Sequence, residues 1–149
     1  WSSDVCSSDL LADTGFSGGT TASTTATITL SGATYPAPAA VYQTWRTGAK
    51  KSPNFSYTLG GLTPSTSYTL RLHFSENSLT KSGARKFDVT VNGTKVLSAF
   101  DVFAAAGGAK KAVIRSVTAT ANASGQVVIN FTAVTTAQPP IINGLEVDQ

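Results

Sequence analysis

This 149-residue chain has one His, one Cys and a charged fraction of only 13%. Each shortage closes off a class of chemistry. One His gives no cluster to hold a metal, and one Cys gives no CxxC pair. No apolar run approaches the roughly 18 residues that a membrane-spanning helix needs. No glycine-rich loop opens a helix in the manner of a phosphate cradle; residues 107–112 (GGAKKA) follow a predicted helix instead. The Lys and Arg residues are dispersed, with Lys50-Lys51 and Lys110-Lys111 as isolated pairs. Without a continuous basic stripe interleaved with aromatics there is no nucleic-acid footprint.

The first ten residues, WSSDVCSSDL, open without Met, repeat Ser-Ser-Asp and fit no strand or helix pattern. They read as a non-native segment left by sequence assembly, with residues 11–149 as the domain. The other reading is a genuine polar linker. This segment holds the one Cys, Cys6, so the domain itself is Cys-free, which suits an exported protein. Setting the segment aside removes Asp4 and Asp9 and raises the formal net charge from +3 to +5.

What is present is alternation. In residues 68–74 (YTLRLHF), Tyr68, Leu70, Leu72 and Phe74 share one face while Thr69, Arg71 and His73 share the other. A period of two is the mark of a half-buried strand. Residues 75–85 read as a polar loop. KFDVTV then alternates again, with Phe87, Val89 and Val91 inward. Asn92-Gly93 between two such runs predicts a type I′ hairpin, which needs positive φ at both central positions. Further strands are predicted at residues 27–30, 41–46, 55–59, 112–120, 126–132 and 141–147. A single short helix is expected near 101–106, capped by Asp101 and ended by Gly107. Eight or nine short strands with frequent turn signals predict an all-β domain, a jelly-roll-like β-sandwich. At this length about 68–70% of the unfolded surface is buried, so the domain needs no staples.

Catalytic candidates are few. His73 lies on the polar face of its strand, where a solvated or hydrogen-bonded surface His is expected. Glu76 and Asp88 are the carboxylates placed for a glycosidase pair, a weak prospect with six acids in the domain. Asp101 and Glu146 have simpler expected roles, as a helix cap and a strand-surface charge. The Asn-x-Ser/Thr sites at Asn54, Asn92, Asn122 and Asn130 arise readily in so Ser/Thr-rich a chain and are not read as glycosylated. Surface recognition remains. Sugars bind through aromatic rings on their apolar face and planar polar groups at their hydroxyls. In VYQTWR, strand alternation puts Trp45 on one face with Gln43, either exposed or packed under a loop. Arg46 binds ligand or pairs with a loop carboxylate. Asn77 and Gln138 stand in loops as further polar candidates.

In order along the chain, YQTWR, FSYTL, YTLRLHFSE, KFDVTVNGTKVL, FDVFAAAGG and INGLEV resemble the malectin domain, a carbohydrate-binding module. The resemblance covers residues 42–147. It implies a galactose-binding-like jelly roll that binds carbohydrate in a cleft of loops and has no catalysis of its own. It implies an oligo- or polysaccharide partner and no nucleic acid or membrane. It also implies no cofactor, although a structural Ca²⁺ held by backbone carbonyls leaves no trace in sequence. In animal malectin the site binds glucose disaccharide ends. Bacterial relatives are commonly joined to exported enzymes. A bacterial domain, truncated at its N-terminus, secreted or periplasmic and covalently linked to a catalytic domain, is therefore expected. Carried over by position, the family's aromatics fall on Thr47, Ser78 and Leu79, with an earlier Tyr near Thr25. Its Asp falls near Ala137 or Gln138. None of these keeps the family residue, so the resemblance carries the fold and not the disaccharide specificity. The alternative is a structural or protein-interaction sandwich that packs on a neighbouring domain.

Overall fold

A computed structural model describes residues 13–135 and 138–149. The expectations for residues 1–10 and for Ala137 lie outside the described residues. The chain forms eleven strands and two short helices among the described residues. They are β1 (Phe16–Ser17), β2 (Thr20–Ser23), α1 (Ala39–Tyr42), β3 (Thr44–Thr47), β4 (Phe55–Leu59), β5 (Ser67–Phe74), β6 (Phe87–Val91), β7 (Thr94–Phe100), α2 (Val102–Ala106), β8 (Val113–Thr120), β9 (Val127–Ala133), β10 (Ile141–Ile142) and β11 (Gly144–Asp148).

The pairings between these strands are antiparallel. One layer is a five-stranded sheet in the order β1-β4-β9-β6-β7. The other combines β10-β3-β2 with β11-β5-β8, and Asn143 alone separates β10 from β11. The inward residues of both layers fill one core: Leu70, Leu72 and Phe74 from β5, Phe87 and Val89 from β6, Ile129 and Phe131 from β9. Phe131 stacks on Phe55 at 4.7 Å and meets Tyr57 edge-on at 6.3 Å. Rings in offset and T-shaped contact gain beyond their area burial. The all-β sandwich expected from alternation is what forms.

Local signals act as their chemistry requires. Asn92 and Gly93 take φ of 49° and 82°, the pair of positive values that the β6–β7 turn needs. Asn92 also spends its amide on the fold, donating to Thr120 O and accepting from the Val128 N–H, each at 2.8 Å. Asp101 caps α2 by accepting from the Ala104 N–H at 3.0 Å, and Gly107 ends it at φ 75°.

Four expectations fail. Residues 41–46 are not one strand: Pro38 starts a helical turn, and Gln43 closes it by bonding back to Ala39 O. Only then does β3 begin. Residues 27–30 form no strand, only a bridge from Thr29 to Lys111. That segment lies over the outer face of β5 and builds a second small core of Ile28, Ala37, Tyr42 and Ala112. In consequence His73, expected at the surface, is 1% exposed. Glu76 and Arg85, assigned to a polar loop, are also buried, as an ion pair.

Candidate functional site

Thr47, Ser78, Leu79 and Gln138 stand on three segments that hydrogen bonds tie together. Thr47 pairs with Ile141, and the Gly48 N–H donates to Pro140 O. Arg85 donates to Pro139 O and, through Nε, to Glu76 Oε2 at 2.7 Å. Glu76 Oε1 accepts the N–H groups of Ser78 and Leu79 at 3.0 and 3.1 Å. The 1%-exposed Glu76 carboxylate is therefore a strut inside the loop, with donors on both oxygens. A buried carboxylate is stable when paired and hydrogen-bonded in this way.

Trp45 is half-buried on β3, two residues before Thr47. It walls a cavity of ≈ 300 Å³ with Asp13, Thr21, Ser23, Thr44 and Asn143 among its lining. Beneath the cavity sits a dense network. Asp13 accepts from Arg46 Nη2 and from the Tyr57 hydroxyl, each at 2.6 Å. Arg46 Nη1 donates to Gly18 O at 3.1 Å, and its guanidinium lies 3.5 Å from the centre of the Phe16 ring. Of the two roles open to Arg46, the pair with a loop carboxylate is the one observed, and the side chain is 5% exposed. Burial pushes the Tyr57 hydroxyl well above its ordinary range, and Asp13 adds to this.

Asn143 joins the regions. Its Nδ2 donates to Tyr42 O and Thr44 O, both at 2.9 Å, and its Oδ1 accepts from the Ser75 N–H at 2.7 Å. Asn77 donates to the same Tyr42 O at 2.8 Å, and Gln43 donates to Ala26 O at 3.0 Å. These two amides position backbone. The helix break at Gln43 also removes the face that Gln43 was expected to share with Trp45. Sequence reading passed over Asn143; its signal is an Asn standing between the two apolar pieces of IINGLEV.

Behind the cavity a second polar chain crosses β5. The Ala37 N–H donates to the Tyr42 hydroxyl at 3.3 Å, and that hydroxyl is hydrogen-bonded to His73 Nδ1 at 2.7 Å. His73 Nε2 lies 3.2 Å from Glu146 Oε2 but is poorly aligned for a hydrogen bond. Arg71 closes the chain with a 2.6 Å bond to Glu146. Burial pushes the Tyr42 hydroxyl up to about 12. Burial also holds His73 below its ordinary range, and the nearby Glu146 offsets this only in part. Glu146, expected to be a simple strand-surface charge, is the acid of this network.

The model of the malectin-like domain matches residues 7–149. The chain belongs to the malectin-like family. It is similar to the kinesin-like protein KIN-14E of Oryza sativa, at 37% identity over 86% of this chain and 12% of that protein. It is also similar to receptor-like protein 4 of Arabidopsis thaliana, at 30% identity over 74% of this chain and 17% of that protein. The malectin-like chain thus spans under a fifth of either relative. Among solved structures it superposes on the ANX2 ectodomain of Arabidopsis thaliana, with a TM-score of 0.75 and 21% identity over 87% of this chain and 39% of that one. A complex of the plant peptide RALF23 with FER and LLG2 contains a chain matched at TM-score 0.77 and 22% identity, over 87% and 38% of the two chains. A Bacteroides uniformis β-glucuronidase is matched at TM-score 0.66 and 18% identity, over 90% of this chain and 14% of that one. At these identities the likeness is one of fold. The curated relatives are plant proteins, so the bacterial setting draws no support from them.

Proposed function

We propose that this chain is a non-catalytic carbohydrate-binding domain of a larger exported protein, holding an attached enzyme at its glycan. The observation that carries this reading is the Trp45 cavity, where a half-buried indole stands beside Asp13, Thr21, Ser23 and Thr44. A pyranose offers an apolar C–H face and a rim of hydroxyls. An aromatic wall flanked by acceptors and donors meets both demands. Trp45 touches the sugar in this reading, while Arg46, Gln43 and Asn77 hold the walls. Thr47, Ser78, Leu79 and Gln138 supply no aromatic, which sets the chain apart from glucose-disaccharide sites. The benefit to the attached enzyme is effective concentration. The ectodomains among the comparison structures support the exported setting.

The carboxylates fit this non-catalytic reading. Glu76 is buried in its pair with Arg85. The Ala99 N–H and Lys95 hold Asp88 below the ordinary carboxylate range. A general acid is tuned the opposite way.

The test uses the full chain with Trp1→Phe, which leaves Trp45 as its one indole. Titration with a panel of oligosaccharides, followed by Trp fluorescence and calorimetry, is expected to show a saturable change with one glycan class. Silence in both signals across the panel rejects the reading. A second reading, a protein-interaction domain, is favoured by the match to a chain solved in complex with a peptide.

A further inference from the structure

An unpaired strand edge offers a row of N–H and C=O groups to any extended chain, and natural sheets blunt such edges. Here most edges are blunt. Strands β1 and β10 have two residues each, β2 has four and β11 five. Strand β7 has seven, but its register against β6 shifts twice, Ala99 takes φ 46°, and Lys95 stands on it. Strand β8 is different. It has eight residues and ends its sheet among the described residues, and it pairs with β5 residue for residue from Phe74↔Val113 to Ser67↔Thr120 without a bulge. Its sequence, VIRSVTAT, is mostly β-branched, with Arg115 as its one charge.

A groove of ≈ 490 Å³ lies against the first half of β8, lined by Tyr35, Arg71 of β5, Ala105 of α2 and residues 113–116. Tyr35 is 81% exposed and takes φ 49°, a conformation that bulky side chains rarely adopt. Its loop is nevertheless pinned: Arg71 Nη2 donates to Thr34 O at 2.9 Å and to Tyr35 O at 2.6 Å. Strain held in place beneath an exposed ring is a mark of use. The two cations of the groove are not equivalent. Glu146 neutralises Arg71. Arg115 has no carboxylate partner among the described residues; its Nη1 closes on Ile114 O at 3.1 Å, and its guanidinium lies 5.2 Å from the Phe100 ring centre.

We infer that the β8 edge receives an extended, acidic polypeptide segment from a partner protein as an added strand, with an acid beside Arg115 and an apolar side chain against Tyr35. Main-chain hydrogen bonds supply affinity in such augmentation, and side-chain pockets supply specificity. A second copy of this chain is the poorer occupant. Two β8 strands would bring both Arg115 side chains to one interface, and β8 carries no acid to meet them.

The experiment uses the whole chain and two capped peptides, Thr-Val-Glu-Val-Thr-Thr and the same peptide with Lys in place of Glu. The Glu peptide is expected to shift the amide resonances of Val113–Thr120 and slow their exchange. The Lys peptide is expected to bind the unaltered chain about ten-fold more weakly or worse. Arg115→Glu is expected to reverse that preference, and Tyr35→Ala to weaken the Glu peptide. Where Arg115→Glu does not fold, Arg115→Gln is expected to equalise the two peptides. Equal binding of both peptides to the unaltered chain overturns the proposal, as do perturbations confined to other strands. Sedimentation that shows a β8-mediated dimer of the chain alone also overturns it, in favour of the second copy. Trp45 fluorescence reads the sugar site separately, so the two ideas fail independently.

Discussion

Strand β5 serves two cores, one on each face. Leu70, Leu72 and Phe74 enter the apolar core between the sheets. On the other side, residues 28–42 lay Ile28, Ala37 and Tyr42 over His73, and a polar chain runs from Tyr42 through His73 to Glu146 and Arg71. The first core is held by burial, which tolerates relaxation. The second is held by directed bonds, which fail when one atom is removed. Alternation reports which face of a strand is apolar, and it reports burial only where the polar face meets water.

The largest expected effect is in the first core. Phe131→Ala deletes a ring stacked on Phe55, and chemical denaturation should show a loss of about 3–5 kcal/mol. A loss under 1 kcal/mol would mean that the layers are not packed as described. In the second core, Tyr42→Phe keeps the ring and strips the hydroxyl from the Ala37 N–H and His73 Nδ1. It should cost about 1–3 kcal/mol for the buried groups left unpaired. A neutral result would make the polar chain ornamental and collapse the contrast.

Acidity separates the cores further. His73 has its folded pKa below the unfolded 6.5, so its neutral form stabilises the fold above that value. As pH falls below 6.5 the unfolded chain takes up the proton first, and stability should fall by at most about 1.4 kcal/mol per pH unit. The loss should continue until the folded His73 itself titrates. His73→Gln should flatten this limb in denaturation curves measured across pH, and an unchanged slope would assign the loss to other groups. The smallest expected effect is outside both cores. Lys95→Ala removes a 2.5 Å pair with Asp88 in which Lys95 is half in water, and the melting midpoint should move by less than about 1 kcal/mol allows.

The legibility of the molecule follows the same division. Period-two runs marked β4, β5, β6, β8 and β9, and single residues with one conformational purpose, such as Asn92 and Gly107, marked their turns and caps. The second core has no period: Pro38 sets a helical turn where strand alternation was read, and that one break moves Gln43 off the Trp45 face. Burial of Glu76 depends on Arg85 and the Pro139 carbonyl across the loop, a match that nothing local encodes. The cavity was half visible. Trp45 and Arg46 drew notice, but their companions Asp13 and Asn143 come from opposite ends of the described chain.

Asn143 bonds to carbonyls 101 and 99 residues earlier in the chain. Contacts that close loops of this length must wait for the intervening chain to be ordered, because closure entropy precedes their reward. The last side of the Trp45 cavity is therefore expected to form after the main hairpins, and a φ-value near zero for Asn143→Ala would bear this out. A partly folded chain presents the indole without its amide neighbour. Under the proposed function, a ligand of this cavity would bind the completed fold in preference to a partly folded chain.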